Sequence, residues 1–274
     1  MNSAYDNANV GGDEAGNGGG IFNTGTGSTV GLTGTAVNNT TVNNNKADQD
    51  GGGIYNTDQA QVTLTGAYVN NNIAGAFNVH DVTSPGVNAC VNDINFNADG
   101  GDGGGIFNTS NIIGGNNDGL VNVTSSQVHC NNAQRDGDNA GTPLVDEGTG
   151  GNGGGIFNED DADVNLTTAT IQFNEATRNG GGIYNTDAGS TITVLGAGTV
   201  IDYNVAGQTI GTADVTGGNG GGIHNSNGAD VIIPVNNTVN NNYAISTGVA
   251  AMGMGGGIFN TGGGSTVSIT GNGT

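Results

Sequence analysis

The chain has 274 residues, a formal net charge of −21 and only three lysine and arginine residues. Such an acidic surface repels DNA and RNA, so nucleic acid is excluded as a partner. Fifty-six glycines with three prolines and no triplet period exclude collagen and indicate many tight turns. No stretch is long and apolar enough to predict a transmembrane segment.

One motif, three glycines followed by Ile, an aromatic residue or His, and Asn, occurs seven times along the chain. Repetition at intervals of a few tens of residues is typical of a solenoid. The shortest interval, from Ile156 to Ile183, defines a unit of 27 residues that holds three short extended runs. Three strands and three turns in one unit predict a rung, that is, one complete coil of a parallel β-helix.

The first run of each unit follows the three glycines. We expect its isoleucine to point inward, its asparagine to cap the next corner as a ladder, and the residue between them to point outward. Outward rings at the same place in every rung predict an exposed aromatic stripe, formed by Phe22, Tyr55, Phe107, Phe157, Tyr184, His224 and Phe259.

The second run carries an apolar pair at spacing i, i+2, such as Val164 and Leu166, which predicts aliphatic columns along the core. The third run carries Val or Ile, with Asn three residues on and Ala five residues on. Stacked amides can both donate and accept between rungs. We therefore expect a structural ladder of asparagines at this corner: Asn45, Asn72, Asn131, Asn174, Asn204 and Asn242.

The two cysteines, Cys90 and Cys130, are too few for a disulfide scaffold. Cys130 occupies the position of Phe173 and Tyr203 in the third run, which we expect to face inward. The sequence therefore predicts a buried free thiol at Cys130.

The sequence thus predicts an all-β fold, a single-stranded right-handed parallel β-helix of about eight rungs with three short strands each. Residues 1–274 form one solenoid domain, with 1–17 as an N-terminal partial rung. The eighth rung comes from a degenerate copy between Ile54 and Ile106, where Ile94-Asn95-Phe96-Asn97 imitates the third run. Loop insertions are expected near 134–152, 207–219 and 245–254, which are rich in Gly, Asp and Thr.

The GGGI(F/Y)N start, the Val-x-Leu-Thr run and the Asn-x-Ala corner resemble the polymorphic outer-membrane-protein type repeats of bacterial adhesins and autotransporter passengers. Those repeats carry GGA(I/L/V) and F-x-x-N, whereas here a third glycine replaces the alanine and Phe173-Asn174 lacks the two-residue spacer. The resemblance covers Gly18 to the C-terminus. It implies a right-handed β-helix surface protein, a rod that hosts adhesins, lyases, hydrolases and structural fibres alike.

An enzyme is the less favoured interpretation, and no catalytic residue is assigned. Resemblance to pectate lyases would imply clustered Asp residues holding Ca²⁺ and an Arg or Lys base, but the only cations are Lys46, Arg135 and Arg178. Resemblance to pectin hydrolases would imply Gly-His-Gly and Arg-x-Lys motifs, which are absent.

No cofactor is required by the sequence, although acidic turns provide candidate calcium ligands, because Ca²⁺ prefers oxygen donors in flexible loops. The alternative is a solvated acidic face. The candidates are Asp48, Asp50, Asp99, Asp102, Asp160, Asp161 and Asp163.

We therefore expect a non-enzymatic extracellular or cell-surface protein, either an adhesin or a self-assembling fibre or sheath subunit built by head-to-tail stacking. Its expected partners are further copies of itself, joined head to tail or laterally, or glycans of the cell surface or matrix. The alternative is a carbohydrate-active β-helix, polysaccharide-binding or lyase-like, that uses a groove beside the inserted loops.

Overall fold

The computed structural model of the chain describes residues 3–4, 16–35, 39–75, 101–110, 119–134, 151–207, 218–245 and 253–270. Within these ranges all paired strands are parallel and each pairs with its equivalents in the adjacent rungs. The fold is a parallel β-helix, as predicted, and it is built from four parallel sheets.

The four sheets are numbered here in the order in which one rung visits them. The first sheet contains Ile21–Thr24, Ile54–Thr57, Ile106–Thr109, Ile156–Glu159, Ile183–Asn185, Ile223–Asn225 and Ile258–Asn260. The second contains Thr29–Thr33, Gln61–Thr65, Leu120–Thr124, Asp163–Thr167, Thr191–Val194, Asp230–Pro234 and Thr266–Thr270. The third contains Thr40–Asn43, Ala67–Asn70, Gln127–His129, Thr170–Gln172, Val200–Asp202 and Thr238–Asn240. The fourth contains Ser3–Ala4, Lys46–Ala47, Ile73–Ala74, Asn132–Ala133, Glu175–Ala176, Val205–Ala206 and Tyr243–Ala244.

The core is a set of aliphatic columns that run along the solenoid. One rung contributes Ile156 from the first sheet, Val164 and Leu166 from the second, and Ile171 from the third, all fully buried. The pairing register places like residues on top of one another, because every rung carries an apolar residue at the same position of each strand. Burial of about four aliphatic side chains per rung supplies the main favourable term in folding.

The predicted third run is two strands rather than one, which corrects the expected three strands per rung. The residue before each corner asparagine adopts left-handed backbone geometry, with φ between 47° and 55°, and this bends the chain sharply. The run therefore splits into a strand of the third sheet and a two-residue strand of the fourth. The residues at this bend are Asn44, Asn71, Cys130, Phe173, Tyr203 and Asn241.

The predicted degenerate rung between Ile54 and Ile106 is wrong. Ile54 pairs directly with Ile106, and the N–H of Ile54 donates to the carbonyl of Gly105 at 2.9 Å. In the second and third sheets, the strands on either side of this segment also pair directly with each other. No rung therefore separates the two strands, and residues 76–100 lie outside the described residues.

The predicted loop insertions near 134–152, 207–219 and 245–254 lie mostly outside the described residues. The strands before and after each of them nevertheless pair in register with the neighbouring rungs. At the N-terminus, the backbone of Ser3–Ala4 pairs with Lys46–Ala47 and adds a strand to the fourth sheet.

The repeated glycines have two separate structural causes. The first glycine of each triplet has positive φ, as at Gly153 with φ of 64°. The second packs against the backbone of the fourth sheet, so that a Cβ on Gly154 would collide with the carbonyl of Glu175. The second glycine therefore lets the chain before the first-sheet strand lie directly against the backbone of the fourth sheet.

Candidate functional site

The six predicted corner asparagines form a continuous hydrogen-bonded row, here called the corner ladder. Each Nδ2 donates to the Oδ1 of the asparagine in the following rung at 2.9–3.0 Å. At Asn174, Nδ2 also donates to the carbonyl of Val128 at 2.9 Å, and Oδ1 accepts from both N–H and Nδ2 of Asn131. Every polar atom of this buried amide is thus used in joining one rung to the next.

The asparagines of the first sheet form a second row, here called the strand ladder. Each Nδ2 donates to the following Oδ1 at 2.8–2.9 Å. The same Nδ2 reaches a main-chain carbonyl near the start of the second strand, as from Asn158 to Ala162 at 2.7 Å. This row also caps the turn between the first two sheets, as expected. Its members are Asn23, Asn56, Asn108, Asn158, Asn185, Asn225 and Asn260.

A third row, which the sequence reasoning missed, lies directly before the glycine triplets and is here called the mixed ladder. The side-chain oxygen of each member accepts the main-chain N–H of the equivalent residue in the next rung at 2.8–3.3 Å. The signal was present, because an Asn or Asp precedes six of the seven triplets. The members of the mixed ladder are Asn17, Asp50, Asp102, Asn152, Asn179 and Asn219.

Two adjacent rungs place carboxylates in the mixed ladder. Asp50 Oδ1 accepts from the N–H of Asp102 at 2.8 Å, and Asp102 Oδ1 accepts from the N–H and Nδ2 of Asn152 at 2.8 and 3.2 Å. Burial raises the pKa of Asp50 to about 6 and that of Asp102 to about 7, where the charge of Asp50 adds to the rise. The nearby Arg178 opposes the shift at Asp102. These carboxyl groups therefore favour protonation well above the usual range of aspartate.

The predicted aromatic stripe is present as a row of outward rings on the first sheet. Phe22, Tyr55, Phe107, Phe157 and Tyr184 stack nearly parallel, with ring centroids 4.9–5.2 Å apart. Two further contacts, from Tyr184 to His224 at 4.8 Å and from His224 to Phe259 at 5.1 Å, are tilted and edge-on.

The prediction that the whole stripe is exposed is wrong. Phe107 and Phe157 are only 5% and 4% exposed, and His224 is also buried, whereas Phe22 is 54% exposed. The spacing between strands in a sheet, about 4.8 Å, falls within the range of centroid separations of stacked aromatic pairs, so the rings cover one another's faces. Burial also lowers the pKa of His224 to about 4, which keeps its ring neutral within the stripe.

The carboxylate of Glu159 extends the acidic surroundings of the stripe, because it follows Phe157 by two residues on the same face of the first sheet. Burial raises its pKa to about 8, and the charges of Asp160, Asp102 and Asp50 add to the rise.

The candidate calcium ligands do not come together as one site. Asp50 and Asp102 belong to the mixed ladder, and Asp48 is buried in the fourth-sheet turn with its N–H donating to Gly16. Asp99 lies outside the described residues. Within the described part of the chain, no three His, Cys, Asp or Glu side chains form a group that could hold a metal ion.

The remaining three calcium candidates lie near the turn between the first two strands of one rung. Asp160 and Asp161 have positive φ of 54° and 64°, the conformation that aspartate tolerates in tight turns. Asp163 begins the second-sheet strand that follows. Turn formation thus accounts for Asp160 and Asp161.

The prediction of an inward, free Cys130 is wrong on both points. Cys130 is disulfide-bonded, and Cys90 is the only other cysteine in the chain. Its equivalents Phe173 and Tyr203 are 46% and 42% exposed and stack on each other at 5.1 Å. The left-handed backbone at this bend turns the side chain outward, which an alternating strand pattern does not reveal.

Comparisons of the chain with protein-family models, with curated proteins and with solved structures found no match. No helix in the described ranges is long and apolar enough to cross a membrane.

Proposed function

We propose that this chain is a non-enzymatic structural rod of the extracellular space or the cell surface, serving as an adhesin segment or as a subunit of a fibre or sheath. The observation that carries the proposal is the set of three ladders that join every rung to the next. Their buried amides have all their hydrogen bonds within the fold, so they serve rigidity rather than chemistry.

The arrangement of the aromatic stripe supports the same function. A ring binds a sugar or a cation through its face, and the faces of Tyr55, Phe107 and Phe157 are covered by their neighbours in the stripe. The stripe therefore supports a role in holding rungs together rather than in binding a ligand along its length.

The disulfide at Cys130 supports an extracellular or surface location. Disulfides persist in oxidising compartments and are rare where thiols are kept reduced. The acidic charge of −21 adds solubility and opposes lateral association between copies.

Head-to-tail contact is the mode of assembly that we propose between copies of this chain. The strands Thr29–Thr33 and Thr266–Thr270 each leave one edge without a described partner strand, and Ile269 is 68% exposed. Such edges are covered either by further rungs or by another copy of the chain. A contact of the second kind does not close and would propagate as a filament.

Electron microscopy of the purified chain, combined with an activity assay, tests the proposal. We expect rods or filaments, and no release of reducing ends or unsaturated products from acidic polysaccharides with or without Ca²⁺. Product release would overturn the structural function and support the carbohydrate-active alternative. Isolated rods without filaments would overturn head-to-tail assembly and leave the rod itself intact.

The carbohydrate-active alternative has one observation in its favour, the exposed ring pair of Phe173 and Tyr203. Exposed aromatic rings offer apolar area that can pack against sugar rings. If glycans bind here, Phe173→Ala with Tyr203→Ala should abolish binding, whereas Phe22→Ala should not. Unchanged binding in the double variant would remove this surface from consideration.

A further inference from the structure

The mixed ladder concentrates a chemically labile dipeptide. The chain contains six Asn-Gly pairs, and four of them begin at mixed-ladder residues: Asn17, Asn152, Asn179 and Asn219. Asn-Gly is the pair most prone to deamidation, because glycine has no side chain to hinder attack by its own nitrogen. The fifth pair is Asn227-Gly228, and the sixth, Asn272-Gly273, lies outside the described residues.

The fold requires both members of each pair. At Gly180, φ is 64° and a Cβ would lie 2.5 Å from the carbonyl oxygen of Ile183, so glycine is needed there. Asn179 must accept from the N–H of Asn219 and donate through Nδ2 to Asn152, at 3.0 and 3.1 Å. The labile sequence is therefore a consequence of the architecture.

Deamidation needs two atoms to be free. The backbone nitrogen of the glycine attacks Cγ of the asparagine, the new N–Cγ bond forms, and the Cγ–Nδ2 bond breaks. The glycine proton leaves with the amide nitrogen as ammonia, and water then opens the cyclic imide to aspartate or isoaspartate.

In the mixed ladder both the glycine N–H and the asparagine side-chain amide are hydrogen-bonded to the neighbouring rungs. The N–H of Gly153 and that of Gly180 donate at 2.9 Å to the main-chain carbonyls of the next ladder residues, Asn179 and Asn219. The N–H of Gly220 donates at 2.9 Å to the main-chain carbonyl of Met254 in the next rung. The asparagine side chain is held by its ladder hydrogen bonds at the same time. We propose that the mixed ladder protects these four asparagines from deamidation, and that Asn227 is the first described Asn-Gly site of the folded chain to react.

Asn227 is held more weakly than the ladder residues. It is exposed in a turn with φ of 56°, and its Nδ2 donates to the hydroxyl of Thr186 at 3.0 Å. The N–H of Gly228 donates to Oγ of Ser265 at 2.8 Å. Asn227 also makes a side-chain hydrogen bond to the carboxyl group of Asp187. All these partners are side chains, which move more readily than the main chain of a paired strand.

The test is to age the full chain in mildly alkaline buffer, once in the native state and once in urea. Peptide mapping by mass spectrometry then gives the rate of deamidation at each Asn-Gly site. In urea all five sites should react at similar rates. In the native state Asn152 and Asn179 should react more than about tenfold more slowly than in urea, equivalent to ~1.4 kcal/mol of local opening. Asn227 should lead. Equal rates at Asn179 in the two states, or a native Asn179 that reacts before Asn227, would overturn the proposal.

A matched pair of variants tests whether the hydrogen bonds around Asn227 limit its deamidation. Ser265→Ala removes the acceptor for Gly228 and also the hydrogen bond that the Ser265 hydroxyl donates to the carbonyl of Thr261. Ser268→Ala removes an exposed hydroxyl nearby and serves as the control. Loss of one such hydrogen bond, worth ~0.5–1.5 kcal/mol, should accelerate Asn227 roughly two- to tenfold in Ser265→Ala alone and leave Asn179 unchanged. The same acceleration in both variants, or in neither, would contradict the assigned hold.

Discussion

Asparagine suits the ladders of this fold because its side chain both donates and accepts. In the corner ladder Asn131 donates through Nδ2 to Asn174 and accepts through Oδ1 from Asn72 at the same time. A carboxylate can only accept, so an aspartate in the same row lacks a donor unless it is protonated. Burial raises the pKa values of Asp50 and Asp102, the two carboxyl members of the mixed ladder.

Replacement of a central corner asparagine should destabilise the chain. Asn174→Ala removes the donor to Asn204 and Val128 and leaves the amide of Asn131 without its acceptor. We expect a loss of ~1–3 kcal/mol in the free energy of unfolding, measured by urea denaturation. Asn240→Ala, at an exposed position of the third sheet, is the control and should be nearly neutral. Equal losses in the two variants would refute a structural role for the ladder.

The buried aspartates should make stability depend on pH. The pKa values of Asp102 and Asp50 rise from 3.8 to about 7 and about 6, so the folded chain binds more protons than the unfolded chain in that range. Stability should therefore be highest below about pH 4 for this contribution and fall as pH rises to about 7. Glu159, whose pKa is also raised, acts in the same direction.

Asp102→Asn should remove part of this pH dependence, because a neutral amide can donate to Asp50 as Asn152 donates to Asp102. Thermal unfolding should show a gain of roughly 1–3 kcal/mol above pH 7 and little change near pH 4. Asp230→Asn, on the outward face of the second sheet, is the control. A gain of the same size at both pH values would show that the carboxyl group is not protonated in the fold.

At the scale of a strand, sequence periodicity predicted the direction in which each side chain points better than it predicted how buried that side chain is. Alternation correctly placed Ile156 inward and Phe157 outward on the first sheet. It did not predict that Phe157 is buried, because burial depends on rings supplied by neighbouring rungs. Alternation also failed at Phe173, since a left-handed residue interrupts the strand geometry on which the period depends.

Rings in the middle of the stripe should stabilise the chain more than the ring at its exposed end. Phe157→Ala opens a gap between Phe107 and Tyr184, and we expect a loss of ~3 kcal/mol, within the range for buried aromatic residues. Phe22→Ala, where the ring is half exposed and has one neighbour, should cost less than ~1 kcal/mol. Chemical denaturation of both variants checks the ranking, and the reverse order would contradict stacking as the reason for the stripe.

For the whole molecule, repetition in the sequence was enough to predict a parallel β-helix and most of its inward residues. The number of rungs was not predictable in the same way. The segment after Gly75 imitates the start of a rung, yet Ile54 pairs with Ile106 and excludes it from the stack. Pairing between residues so distant in sequence depends on long-range contacts, which no local pattern encodes. The disulfide of Cys130 was missed because its position was assigned to the core.

Each rung is held by its neighbours through the ladders, which makes the solenoid rigid along its length. Native-state hydrogen exchange, resolved by residue, tests this most directly. The main-chain N–H groups of Asn72, Asn131 and Asn174 donate to the corner-ladder oxygen of the next rung, so they should be among the slowest to exchange. Exchange of these amides as fast as that of an exposed turn residue such as Gly263 would contradict the stacked ladder on which the fold and the proposed function depend.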